Sequence, residues 1–201
     1  MTADPIASFF NALAEKWDDI AENNDSLIDF IVKYADIKPE DKVLDIGCGT
    51  GILESRILQY NPQKILAVDI SENMILKARK KYIGAAIEFR NVDIYSLQET
   101  EFNKAFIFNA YPHFLNRRLL AERVSSCLKA GGRFLVAHDH SRSAVNARHA
   151  DIMPQSKNGA LISSELQSAE AEAVFWKEFF YVDTMIDRHD FYLISGIRVI
   201  R

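Results

Sequence analysis

The chain has 201 residues, 48% of them hydrophobic and 26% charged, a size and balance that fit one globular domain and exclude a largely disordered one. A formal net charge of −4 argues against a nucleic-acid partner, because phosphate binding needs clustered Lys and Arg. Two cysteines, Cys48 and Cys127, exclude a disulfide framework or a four-thiolate zinc site, while no basic-then-apolar start and no run near ~20 apolar residues point away from secretion or a membrane and make the cytoplasm the default location.

In chain order, Phe9, Phe10, Leu13, Trp17 and Ile20 recur at helical spacing and predict an amphipathic helix over 5–22. Ser26 is placed to cap a second helix reaching Tyr34, and Pro39 marks a loop. A regular alternation follows. Lys42–Ile46 reads as a strand, Ile52–Tyr60 as a helix, Ile65–Val68 as a strand, and Glu72–Tyr82 as a helix capped by Ser71. Ala86–Asn91 and Lys104–Phe108 are strands, Arg117–Leu128 a helix, and Arg133–Ala137 a fifth strand after Gly131-Gly132. Phe175–Val182 and Phe191–Val199 read as a closing hairpin around the polar stretch Asp183–Asp190.

Strands and helices at this spacing imply an α/β fold: a doubly wound, mostly parallel sheet of seven strands with an antiparallel C-terminal edge hairpin. The chain reads as one domain, 1–201, with a helical cap over 1–38 and a core over 39–201. The polar stretch 141–160 interrupts the pattern and is expected to be a lid insertion over the ligand-binding end of the sheet.

The most specific motif is Val43-Leu44-Asp45-Ile46-Gly47-Cys48-Gly49-Thr50-Gly51, where the first strand turns into the first helix of the alternation. Glycines there allow a sharp turn and close ligand approach, and ligands of open α/β sheets bind beyond the carboxyl ends of the strands. Dinucleotide sites use Gly-x-Gly-x-x-Gly; here the spacing is Gly-x-Gly-x-Gly, preceded by a carboxylate. Asp45 would repel a pyrophosphate but would attract an ammonium or sulfonium group.

On these residues the chain resembles the class I, Rossmann-like S-adenosylmethionine-dependent methyltransferases, from Lys38 to the C-terminus. The resemblance implies S-adenosyl-L-methionine as cofactor, with Asp45, Gly47, Cys48, Gly49 and Gly51 at its methionine part. Asp69, about 20 residues past the glycine loop at the end of the second strand, is expected to accept from the ribose hydroxyls, with Ile70 beside the adenine. Asp93 and Ile94, ending the third strand, are implied acceptor and flank for the adenine ring.

Asn109-Ala110-Tyr111-Pro112-His113-Phe114 follows the fourth strand, in the place the family sets beside the transferring methyl group. It departs from the Asn-Pro-Pro-Tyr motif of amino-group methyltransferases acting on nucleic acids and proteins, which weakens that reading. Asn109 is expected near the cofactor, Tyr111 near the substrate, and His113 is a candidate base or a packing histidine. His138-Asp139-His140-Ser141-Arg142 follows the fifth strand, with Asn146, Arg148 and His149 after it; this stretch is similar to a bacterial subgroup whose substrate is unknown. His138 and His140 join the catalytic candidates, and Arg142 and His149 the substrate contacts. The histidine cluster fits substrate binding, a protein-held metal, or chance placement at a strand end. Phe10 and Trp17 are candidates to cover the cofactor or simply to pack on the sheet.

Small-molecule methyl transfer is the function expected. Alternatives are a protein or RNA methyltransferase and a nicotinamide-dependent oxidoreductase, and the fold alone also permits a nonenzymatic binding protein.

Overall fold

The computed structural model describes residues 4–152 and 162–199. Its centre is a seven-stranded sheet in the order β3-β2-β1-β4-β5-β7-β6. The strands are β1 (Lys42–Ile46), β2 (Lys64–Asp69), β3 (Glu88–Asn91), β4 (Phe102–Phe108), β5 (Leu128–His138), β6 (Phe180–Asp187) and β7 (Tyr192–Arg198). The first five pair in parallel. β7 runs antiparallel between β5 and β6, so the closing hairpin forms as expected while the reversed strand lies one place in from the edge.

Both faces of the central strands are covered, which is why β1, β2 and the ends of β4 and β5 are mostly apolar, while the edge strands β3 and β6 are not. Leu44, Ile46, Leu66, Val68, Ile107 and Val136 pack on one side with α6 (Arg117–Cys127) and α8 (Ala169–Lys177). Val43, Ile65, Phe106 and Leu135 face the other side, against Ile28, Ile31 and Val32 of α3 (Asp25–Tyr34) and Ile57 of α4 (Glu54–Ile57). Strand order reverses between β1 and β4, whose carboxyl ends flank a central crevice. That is the ligand-binding switch point of doubly wound sheets.

Several local expectations are corrected. The helix expected over 5–22 is broken into α1 (Pro5–Leu13), capped by Asp4, a 3-10 turn at Ala14–Lys16, and α2 (Trp17–Ile20). α3 is capped by Asn24 rather than Ser26; the Asn24 side chain accepts from Leu27 N at 3.2 Å. The helix expected over 52–60 shortens to α4 and a 3-10 turn ending at Asn61, whose φ of 48° is left-handed. Phe175, Trp176 and Lys177 belong to α8 rather than to a strand: Ser168 caps that helix by accepting from Ala171 N, and the alanines 169, 171 and 173 favour helix locally. Strand β6 continues through Asp187, into a stretch expected to be loop.

Between β2 and β3 lies α5 (Glu72–Lys81), capped by Ser71. α1 lies against it through Asn11, which accepts from Ser71 Oγ at 2.8 Å and from Asn73 N at 3.0 Å. The first part of the expected lid is α7 (Arg142–Ile152); its continuation over 153–160 lies outside the described residues. Arg148 of α7 donates to Ile20 O at 2.7 Å, joining that helix to the N-terminal cap segment.

Candidate functional site

A cavity of about 1200 Å³ opens at the carboxyl ends of β1, β2, β3 and β4. Its floor is the glycine loop. Gly47 N and Cys48 N both donate to Val68 O, at 2.8 and 3.1 Å, fastening the loop to the end of β2. Gly47 has φ of 72°, and a Cβ there would fall 2.8 Å from the Ala110 Cβ. Gly49 differs. Its φ is 56°, and an added Cβ would meet only Trp17 Nε1, at 3.8 Å. This glycine therefore presents bare backbone to the cavity, which a ligand can approach closely.

The loop is held from outside by the cap. Asp18 accepts from the Thr50 hydroxyl and pairs with Lys81 at 3.1 Å. Burial works against the Asp18 charge, but the Thr50 hydroxyl and the Lys81 ammonium outweigh it and hold the carboxyl below its usual range. Trp17 lies against Phe10 edge to face at 5.6 Å, and Phe10 against His113 at 4.8 Å. These rings line the cavity, so both aromatic candidates of the first helix belong to its wall.

Beneath the loop lies a second feature that sequence reasoning missed. Glu54, on the first turn of α4, is fully buried beside Asp45. Neither Glu54 carboxylate oxygen has a well-formed hydrogen-bond partner, and a proton shared between the two buried acids would satisfy both. Burial raises both groups, Glu54 to about 7 and Asp45 well above its ordinary range, where the Glu54 charge adds to the effect. Asp45 does not line the cavity. Its neighbour there is the Glu54 carboxyl.

At the end of β2, Asp69 accepts from Gly49 N at 2.9 Å with one oxygen and from Ser71 N at 2.8 Å with the other. Each carboxylate oxygen retains a lone pair for a ligand. Burial pushes this group up to about 6, against the pull of the two N–H donors. At the end of β3, Asp93 Oδ1 accepts from Tyr95 N at 3.0 Å. Asp69, Ile70, Asp93 and Ile94 all line the cavity, as does Asn109 at the end of β4, whose φ of 51° is left-handed.

Four histidines meet at the β4–β5 side: His113, His138, His140 and His149. His113 Nδ1 donates to Ile162 O at 2.8 Å, because a carbonyl only accepts. Burial lowers His113 to about 4 and, with the neighbouring imidazoles His149 and His113, lowers His138 to about 3. His149 is also lowered, first by burial and then by Arg148. His138 Nε2 and His149 Nδ1 are buried without a partner. His140 is different: its Nδ1 lies 2.9 Å from Asp139 Oδ1. Among the described residues, no group of three or more His, Cys, Asp or Glu is arranged to hold a metal ion.

Two substrate candidates lie elsewhere. The Tyr111 hydroxyl donates to Glu172 Oε2 at 3.0 Å and accepts from Trp176 Nε1 at 3.1 Å, in a fully buried network that also holds Arg117. Tyr111 thus fixes the turn that carries His113. Arg142 points to β6 and pairs with Asp187 at 2.8 Å. Neither residue lines the cavity. The structure brings the glycine loop, the β2 and β3 acids, Asn109 and the four histidines to one wall, and leaves Asp45, Tyr111 and Arg142 off it.

Residues 43–132 match the family described as a methyltransferase domain. The O-methyltransferase cnsE of Penicillium expansum is 25% identical over 123 residues, covering 56% of this chain and 45% of that protein. Phosphoethanolamine N-methyltransferase 3 of Arabidopsis thaliana is 30% identical over 116 residues, 56% of this chain and 24% of the enzyme. The chain thus spans less than half the length of these relatives. Among solved structures, the 4+2 cyclase SpnF superposes with a TM-score of 0.76 at 15% identity, covering 98% of this chain and 96% of that one. At that identity the likeness shows the fold alone.

Proposed function

We propose that this chain, which carries the domain of the class I S-adenosylmethionine-dependent methyltransferases, binds S-adenosylmethionine at the ends of β1–β3 and transfers its methyl group to a small molecule. The observation that carries this reading is the cavity itself: an open-faced glycine, Gly49, beside two strand-end carboxylates, Asp69 and Asp93, in the order the cofactor's amino-acid tail, ribose and adenine would need.

The residues present fit the cofactor. Gly49 leaves room for close approach, and the loop's backbone would receive the methionine part. Asp69 retains acceptor capacity for two ribose hydroxyls, and Asp93 would accept from the adenine amino group. Ile70 and Ile94 would flank the ring, and Asn109 would lie near the reacting end. When bound, S-adenosylmethionine supplies a methyl carbon on a sulfonium that is already a leaving group. The work left to the chain is to align an acceptor and keep water out. Phe10, Trp17 and the α7 residues Val145 and Ala147 line the cavity and would help to exclude water. This apolar lining, together with the acidic balance of the chain, supports a small acceptor over a polymer.

Two measurements test the reading. Calorimetry should detect S-adenosylmethionine and S-adenosylhomocysteine at micromolar affinity, and reduced nicotinamide dinucleotide should not compete. Incubation of a cell extract with methyl-labelled cofactor, followed by size separation, should place label in the small-molecule fraction. A folded protein that ignores both nucleosides at millimolar concentration would overturn the proposal, and label confined to polymers would overturn the small-molecule acceptor.

A further inference from the structure

The β5 side of the cavity holds a buried carboxylate that no cofactor role explains. Asp139 is 2% exposed. Its Oδ1 accepts from His140 Nδ1 at 2.9 Å and from Asn109 Nδ2 at 2.8 Å, and its Oδ2 accepts from Asn24 N at 2.7 Å. Asp139 N completes the ring by donating to Asn109 Oδ1 at 3.3 Å. Three segments distant in sequence therefore converge to fix one carboxylate. A carboxylate only accepts, so the His140 proton must sit on Nδ1, leaving Nε2 with a bare lone pair. The His140 side chain is 33% exposed and lines the cavity, and with Nδ1 turned to Asp139 it is the Nε2 end that meets a ligand.

We propose that Asp139 and His140 form a proton-accepting dyad, in which His140 Nε2 takes the proton of the methyl acceptor and Asp139 is the positioning residue that fixes its tautomer. This rests on the methyl-transfer reading above and deepens it. The choice of His140 over His113 and His138 is geometric. A base becomes a cation when it works, and within the cavity wall described here His140 is the imidazole with a carboxylate at hydrogen-bond distance. His113 is instead anchored to a neutral carbonyl, and His138 is enclosed.

The dyad also specifies the acceptor class. A base is most needed where the acceptor atom is a poor nucleophile until its proton leaves, as on a hydroxyl or thiol, whereas a neutral amine attacks with its own lone pair; the dyad therefore favours an O–H or S–H acceptor. Phe10 against His113, with Phe114 also lining the cavity, favours an acceptor with an apolar part. The acceptor proton passes to Nε2. The electron pair left on oxygen or sulfur forms the bond to the methyl carbon, and the carbon–sulfur pair stays on the cofactor sulfur, which becomes a neutral thioether. The imidazolium then returns its proton to water.

The test uses the full chain. Nitrogen-15 NMR of the imidazoles should show neutral His140 protonated at Nδ1 in the wild type, and Asp139→Asn should move the population toward the Nε2 proton. In the labelled-extract assay, His140→Gln should lower transfer into small molecules at least ~100-fold, the usual scale of a lost general base, while the calorimetric Kd for S-adenosylhomocysteine changes less than about threefold. A wild-type His140 carrying its proton on Nε2 would overturn the dyad, as would a His140→Gln variant keeping most of its transfer. Absence of wild-type transfer would instead overturn the methyl-transfer reading and, with it, the dyad's catalytic role; the NMR result separates the two failures.

Discussion

Replacing Glu54 with Gln should make the protein's stability less sensitive to alkali. The Asp45–Glu54 pair is buried, and desolvation that nearby backbone N–H groups only partly offset favours a proton held in the folded state. Glu54 titrates at about 7 in the fold, against an ordinary 4.5. The unfolded chain therefore releases this proton at lower pH than the folded one. With more protons bound in the native state, the Glu54 contribution to stability is full below pH ~4.5 and is lost as pH rises through about 7. At about 1.4 kcal/mol per pH unit, that span amounts to about 3 kcal/mol, or some 6–12 °C in Tm for a domain of this size. A glutamine amide at position 54 would donate to Asp45 at every pH. Thermal unfolding at pH 5 and pH 8 should show the Glu54→Gln variant near or slightly below wild type at the acid end and several degrees above it at the alkaline end. An equal difference at both pH values would refute the shared-proton account.

Other consequences are simpler. Gly47→Ala places a methyl group 2.8 Å from the Ala110 Cβ at a φ of 72°, and urea unfolding should show a loss of about 1–3 kcal/mol or more. Asp69→Ala should weaken S-adenosylhomocysteine at least ~10-fold by calorimetry, because a charge-assisted pair of ribose contacts is worth about 1.5 kcal/mol or more; an unchanged Kd would remove Asp69 from the ribose role. Glu172→Ala leaves Arg117 buried without its carboxylate partner and should cost about 3–5 kcal/mol in a denaturant titration. Its effect should be stability first, since Glu172 lies off the cavity wall.

The half of the site that was legible in the sequence is the half built locally. The glycine loop, Asp69 and Asp93 each sit at the end of their own strand, so the βαβ alternation and one short motif place them without any knowledge of long-range contacts. The same logic explains the misplacements. Asp45 stands inside the motif but points beneath it, toward a glutamate nine residues on whose burial only the packing of α4 reveals. Tyr111 stands in the right loop, yet its hydroxyl turns to Glu172 and Trp176, more than 60 residues away. Trp176 itself misled the strand assignment: an aromatic run reads as β by propensity, whereas Ser168 and the alanines before it start a helix that carries through it.

Asp139 illustrates why the acceptor half resisted a sequence reading. Its partners come from the turn before α3, the end of β4 and the residue beside it, at separations of 115, 30 and 1. Nothing in the run His138-Asp139-His140 distinguishes a metal ligand, a substrate contact and a positioning carboxylate; the distinction lies in which atoms donate to it. Once those donors are known, the roles separate. His140 has a carboxylate to support a positive charge, His113 has a carbonyl that only orients it, and His138 has an enclosed position that disfavours charge. The Asn24–Asp139 bond carries a further implication: the segment that starts α3 and follows the aromatic cap is fastened to the same carboxylate that orients the proposed base. A variant that loosens the Asn24 turn should therefore disturb the His140 tautomer, read by the same nitrogen-15 NMR, although Asn24 itself does not line the cavity.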